Sequence, residues 1–517
     1  MNLRIGLTAP SSGWEQLLRQ EGVPFIFIDP GSSFTGEAFS VLAVTRTLDR
    51  VGADSVDAYL RSGGAVIGAA EHLRALGDEG PRKEKIDYLL AEAGGPFAAS
   101  GLLDLGMEGW IPREANHTRT QENTYGLFAG PWRGGFAVVL PFDPARLLSD
   151  DRAASRSFPF SAERLPSERV SVVGKGPLRH LLHAALGFLH HARGLPYAHL
   201  WYFPDGRKNL FAFRIDTDGA PQRDVDDLYR LAREYATPLT WFLDVGAHDR
   251  WLRHFRGMVD QELGIHCYEH VVLADAAVAR KNLQRARHAM EREGLNAEGF
   301  ASPYGIWTEG LAHVIDEMGF LYSSEFSYAY DALPVYPETP AGRHTALQIP
   351  IHPVCIGSMR RVGYAPDRMT QYFDAIVQRK QALADPLFFY HHPSHRTLEV
   401  VERLFRSMVQ GSIEAVTLGA YARWWKERER VEPEIVIGTG EVALTGAPPF
   451  PGPVWFRLIL PDGRNALVSG APSIRLADVA WEPRPEIGIS GDLRRSREFD
   501  PRTLLGDLFS TLSRKYR

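Results

Sequence analysis

Short apolar runs alternate with amphipathic stretches over most of this chain, and that alternation limits the fold more than any other feature. In the first part the runs at 4–7, 25–28, 40–44 and 65–67 are candidate strands, and 13–20 and 55–61 carry helical spacing. Strands that are apolar throughout need cover on both faces, and the intervening helices supply it, so an open parallel sheet is expected. A second alternation of the same kind runs from 210 to about 430. Shorter runs at 434–437, 454–460 and 466–468, broken by Gly and Pro, predict a small antiparallel β-domain. The fold class is therefore α/β, and 517 residues are too many for one core. The expected division is 1–190, 195–430, 431–495 and a tail at 496–517.

Composition narrows the partners. The 58 basic and 63 acidic residues are mixed along the chain, for a formal net charge of -5. A nucleic-acid partner needs a concentrated basic surface, and none is evident. No window approaches the roughly 20 apolar residues that cross a bilayer. The opening MNLRIGLTAPSSGWEQLL lacks the apolar core of a secretion signal. Two cysteines, Cys267 and Cys355, fit a reducing compartment better than a disulfide scaffold. The expected location is the cytoplasm.

Three segments invite a function and receive a plainer reading. The stretch 53–70 resembles the class I glutamine-amidotransferase-like fold, in which a helix and a Gly-Gly turn precede a buried strand. That family carries its nucleophilic Cys just after such a strand. Here the chain reads Ile67-Gly-Ala-Ala-Glu-His72, with no Cys before Cys267, so the likeness implies a non-catalytic domain. The segment 178–193 holds His180, His183, His190 and His191 without a nearby acid, which favours a junction helix over a metal site. At 501–517, Leu504, Leu505, Leu508, Phe509 and Leu512 share one helical face ahead of Arg514, Lys515 and Arg517. A docking helix is expected, with a membrane-surface or partner helix as the alternative.

The chemistry concentrates in the second alternation. The apolar run from Leu210 ends in Asp216-Thr-Asp218-Gly219. Residues two apart on a strand face one side, so the two carboxylates converge and repel unless a cation relieves them. Further on, His266 and His270 stand four apart, a spacing that on a helical turn lets two imidazoles share one ion. Cys267 points off that face and is left out. One Asp and two His leave coordination positions open, which suits a catalytic rather than a structural metal.

In order and spacing these segments resemble the polysaccharide deacetylases of the NodB-homology type. The Asp-Asp-Gly motif corresponds to Asp216-Thr-Asp218-Gly219 with one residue inserted, and the His-x-x-x-His motif to His266 and His270. The Arg-x-Pro-Tyr motif is similar to Ala301-Ser-Pro303-Tyr304. The late strand ending in His is similar to Leu387-Phe-Phe-Tyr-His391-His392-Pro393. The resemblance covers about 220 residues. It implies a deformed (β/α) barrel for 195–430 and a divalent metal, zinc first, on Asp218, His266 and His270. By the same likeness Asp216 is the general base, Thr217 leaving room for the Asp roles to be exchanged. The general acid is His392, with His391 as runner-up. A backbone N–H near Tyr304 would hold the oxyanion, with Pro303 and Trp307 beside it.

Ala301 departs from the motif, whose Arg pairs with the base; Arg214 is the candidate replacement. Tyr268, Tyr304, Trp307 and Tyr328 are candidate sugar-stacking rings. Asp331 is a candidate partner of the late His, and His352 a candidate pocket residue. The implied activity is removal of N-acetyl or O-acetyl groups from a sugar or polysaccharide. Two alternatives stand beside it: hydrolysis of a small amide or cyclic imide, and a non-catalytic carbohydrate-binding or scaffolding role.

Overall fold

The computed structural model describes all residues except 32–37, 78–79, 161–162, 166, 340–341, 449–451, 486, 489–491, 498–500, 502–504 and 506–517. The expected terminal helix at 501–517 therefore lies outside the described residues, Pro501 and Leu505 apart. The chain is α/β and divides into two compact units.

The first unit comprises Met1–Asp150, Val173–Arg207 and Lys426–Ile489. Its nine-stranded sheet begins with parallel strands in the order Phe25–Phe27, Ile5–Leu7, Val41–Val44, Ala65–Ala69 and Gly135–Leu140. Helices Ser12–Glu21 and Arg50–Arg61 belong to this open half. Each starts where a side-chain oxygen satisfies a free backbone N–H: Ser11 accepts from Trp14, Asp49 from Gly52. The first helix stops at Gly22, whose φ of 81° suits a residue without Cβ.

Beyond Gly135–Leu140 the sheet turns antiparallel through Tyr125–Trp132, His117–Arg119, Arg82–Leu90 and Leu102–Ile111. The alternation rule does not anticipate this arm. Its first strand opens Arg82-Lys-Glu-Lys85, which is largely solvent-facing and gives no apolar run. The C-terminal strands of the unit form two small sheets. Glu432–Ile437, Glu441–Ala447 and Ala471–Arg475 make one; in the other, Trp455–Ile459 pairs with Tyr197–Leu200 on one side and Asn465–Ser469 on the other.

The second unit comprises Asp151–Val172, Lys208–Trp425 and Ser490–Arg517. Seven parallel strands run in the order Leu347–Gln348, Tyr322–Ser323, Gly299–Phe300, Glu262–Cys267, Leu239–Asp244, Phe211–Asp216 and Leu387–His391, and they curl into a half-barrel. A Cβ on Gly299 would lie 2.2 Å from the Tyr322 ring, so only a glycine lets that ring cross the neighbouring strand. No helix among the described residues is long and apolar enough to cross a membrane.

Candidate metal centre

Parallel sheets place all their strand C-termini at one end, and sites gather there. In the second unit that end collects the acids and imidazoles. Phe211–Asp216 lies between Leu239–Asp244 and Leu387–His391, with Asp216 opposite Phe242 and Ile215 opposite His391. Past the strand end, Thr217 is fully buried and anchored, its N–H and hydroxyl both directed at the Phe242 carbonyl while Asp244 N–H donates to its Oγ1. The chain then leaves the strand through Asp218 at φ 37° and Gly219 at φ 67°. This tight exit carries Asp218 away from Asp216, so the two carboxylates serve different partners.

Asp218 meets three histidines. Its Oδ1 lies 3.0 Å from His266 Nε2 and 3.3 Å from His270 Nε2, and its Oδ2 lies 3.3 Å from His392 Nε2. His266 is the penultimate residue of the strand Glu262–Cys267, while His270 lies in the loop after it. The expected helical turn is therefore absent. The β-preferring Leu263-Gly-Ile265 continues the strand through His266, and the loop swings His270 back to the same point. His266 Nδ1 donates to the Ala301 carbonyl at 2.7 Å, which leaves Nε2 as a lone pair aimed at Asp218.

Asp218 Oδ1 and His270 Nε2 are enclosed without a hydrogen-bond partner among the described residues. Electron-pair donors packed this closely repel unless a cation lies among them. Four ligands at zinc distances of about 2.0–2.1 Å in a tetrahedron stand about 3.4 Å apart. The 3.0 and 3.3 Å separations match that spacing, so these residues fit a small divalent ion. Burial alone would raise the Asp218 carboxyl, but the charge of His392 and the imidazoles of His266 and His270 facing it hold it well below the usual range. Burial opposes charge on His392, and the Asp218 carboxylate outweighs it, holding that imidazole well above its usual value.

Asp216 has its own counter-ion. Arg214, two residues earlier on the same strand face, donates from Nε and Nη2 to the two carboxylate oxygens, both at 2.6 Å. The guanidinium also reaches the carbonyl and hydroxyl of Ser324. Arg214 and Asp216 thus form a buried ion pair within one strand. Behind it lies Glu325, fully buried, with its carboxyl pushed up to about 7 chiefly by desolvation.

A cavity of about 320 Å³ opens on this centre, lined by Asp216, Asp218, His266, His270 and His392 together with Tyr304 and Phe326. Tyr304 is its only lining residue among the four expected stacking rings. Trp307 instead packs on Tyr328 with centroids 4.7 Å apart, and Tyr268 lies under the Arg285 guanidinium. Pro303 is buried at the start of the turn that presents Tyr304. His391, next to His392, points the other way, as alternation along a strand requires. It is fully buried, packs on Phe213 and does not line the cavity. Asp331 pairs with His352 and Lys380 rather than with the late His, and His352 lies outside the cavity lining.

Glu168, Ser358, Arg361 and Cys355 also line the cavity, and no sequence pattern marks them. Glu168 accepts from Ser358 Oγ at 2.6 Å across 190 residues of chain, a pairing that only the folded unit creates. Both cysteines are free.

The His-rich helix, Lys175–Ala192 in the first unit, does find an acid. His183 Nδ1 lies 2.5 Å from Glu21 Oε1. The same oxygen accepts from the Tyr197 and Tyr202 hydroxyls at 2.9 and 2.8 Å, and Arg179 stands 3.5 Å from Oε2. With Glu21 Oε1 taken by His183 and two hydroxyls and a guanidinium already beside Oε2, the group is read as a polar network in the core rather than a metal site.

No family model and no curated protein matches this chain. Among solved structures, it is similar to a putative polysaccharide deacetylase from Mycobacterium smegmatis, at 19% identity and a TM-score of 0.38, over 44% of this chain and 94% of that one. A probable polysaccharide deacetylase from Pseudomonas aeruginosa matches at 17% identity and a TM-score of 0.37, over 43% and 93%. An allantoinase matches at 18% and 0.38, over 43% and 92%. These likenesses span less than half of the chain, and the chemistry of its site rests on the geometry above.

Proposed function

We propose that this protein is a metal-dependent hydrolase that removes acetyl groups, N- or O-linked, from a sugar. The observation that carries the reading is the meeting of His266 and His270 Nε2 on one oxygen of Asp218. A divalent ion held by these three, zinc by preference, would polarise the acyl carbonyl and lower the pKa of a bound water. Ala301, through its carbonyl, keeps His266 in the tautomer that binds metal. Asp216, clamped by Arg214 at the cavity wall, takes a proton from the attacking water. His392 gives a proton to the departing nitrogen or oxygen from Nε2. The backbone N–H groups around Tyr304 receive the developing oxyanion.

This reading assigns the chemistry to 195–430 and makes 1–190 a non-catalytic, amidotransferase-like companion, with 431–495 as a small β-domain. A cavity of about 320 Å³ is near the lower bound for small-molecule pockets, so a terminal sugar unit or a small molecule fits it better than a polymer mid-chain. That volume also keeps the second enzymatic reading, hydrolysis of a small amide or cyclic imide.

Metal analysis of the purified protein followed by acetate release from N- and O-acetylated sugars tests the proposal. Bound zinc and acetate release, both lost in Asp218→Ala and His266→Ala, support it. Metal with imide ring-opening and no acetate moves the assignment to the second reading. A wild-type protein that binds no divalent metal overturns both.

A further inference from the structure

Two residues that line the same cavity, Cys355 and His392, belong with His395 to a second set of donors. Cys355 Sγ and one ring nitrogen each from His392 and His395 lie within 4.8 Å of one another. His392 turns Nε2 to Asp218, and its Nδ1 is enclosed without a hydrogen-bond partner among the described residues. His395 Nδ1 is in the same condition. Both imidazoles face the Cys355 thiol, a weak donor with a single proton, so at most one of the two enclosed nitrogens is served and a shared cation would satisfy both.

The backbone is shaped for this arrangement. A Cβ on Gly357 would stand 1.8 Å from His395 Nδ1, so the imidazole occupies space that any other residue would fill. That glycine comes two residues after Cys355. The rings of His392 and His395 approach to 4.7 Å between centroids. Cys355 also caps the helix Ile356–Arg361, its Sγ 3.3 Å from the Ser358 N–H. A thiol is a weak acceptor there, and Ser or Asp caps better. The cap alone therefore leaves the two imidazoles beside it unexplained.

We propose that Cys355, His392 and His395 form a second metal site, selective for a thiophilic divalent ion such as zinc, and that filling it silences the hydrolase. One thiolate and two imidazoles favour zinc over calcium or magnesium, and the cavity leaves room for an exchangeable fourth ligand. Binding releases to solvent the thiol proton and the Nδ1 proton of the His392 imidazolium, and the freed Nδ1 lone pair takes the ion. Nε2–H then stays fixed toward Asp218 Oδ2, and His392 no longer cycles a proton to the leaving group. The silencing rests on the hydrolase reading above; the binding does not.

Cobalt titration of the chelator-stripped full chain separates the two. The first equivalents fill Asp218, His266 and His270 or the new site, and saturation comes at two ions per chain. A thiolate-to-cobalt charge-transfer band in the near ultraviolet reports Cys355. Cys355→Ser, which keeps a capping hydroxyl, and His395→Ala each lose one equivalent; Cys355→Ser also loses the band. Cys267→Ser and His270→Ala keep it. Saturation at one ion without the band, or a band that survives Cys355→Ser, overturns the site. For silencing, a second equivalent of zinc lowers acetate release at least tenfold in the wild type and leaves Cys355→Ser unaffected; equal response in the two overturns it. A cobalt band without acetate release in any variant upholds the site and refutes the acetyl-removal reading alone.

Discussion

Replacing Arg214 by Met removes one side of a fully buried ion pair and leaves the other. Arg214 has no exposed surface and Asp216 only 3% of its own. The lost contacts are two charge-assisted hydrogen bonds of 2.6 Å, each worth about 1.5–3 kcal/mol, together with those to Ser324. Their sum agrees with the cost of about 3–5 kcal/mol for breaking a buried pair, where most of the penalty is the stranded charge. Asp216→Leu alone strands the guanidinium and costs a similar amount. The double variant strands neither, so its cost falls below the sum of the singles by about 2 kcal/mol or more. Guanidinium chloride unfolding of the wild type and the three variants closes the cycle. Additivity to within about 0.5 kcal/mol would refute the claim that Arg214 is the counter-ion of Asp216.

Three further outcomes follow from the same geometry. His392→Gln lowers acetate release by about 10²–10⁴-fold while the Asp218, His266 and His270 set still binds zinc; near-normal turnover would remove His392 from the acid role. Gly305→Ala forces a side chain onto a backbone at φ 62°, with its Cβ 2.2 Å from the Phe326 ring, and costs about 1–3 kcal/mol, read as a lowered Tm; an unchanged Tm contradicts the packing. His190 is held neutral by burial, its pKa lowered from 6.5 to about 4. Its contribution to stability is present above the unfolded value and is lost as pH falls from about 6.5 toward 4, at up to about 1.4 kcal/mol per pH unit. His190→Gln removes that slope, and unfolding midpoints at pH 7 and pH 5 for the two proteins reveal it.

What the sequence discloses depends on how local the cause is. Asp218, His266 and His270 are conspicuous because strand-end chemistry and close spacing leave a trace in a few consecutive residues. The conformation joining the two histidines leaves none: a spacing of four suits a helical turn as well as a strand end with a returning loop. Aromatic residues mislead for a related reason. Trp307 and Tyr304 have equal claim to a sugar until packing sends one to Tyr328 and the other to the cavity. Cys355 and Glu168 reach the cavity only through contacts distant in sequence. The antiparallel arm is hidden by its charges, since a strand like Arg82–Leu90 shows its pairing partners only in the sheet.

Because Arg214 and Asp216 occupy one strand, two residues apart, they form a self-contained ion pair that needs no distant loop to be electrically complete. Position 301 is thereby relieved of carrying charge and contributes a main-chain oxygen, which every amino acid possesses. Side-chain exchange at 301, a fully buried position, is then limited by volume and by the cost of burying a polar group. Variants there should be sorted by size, with Gly tolerated where bulkier residues are not.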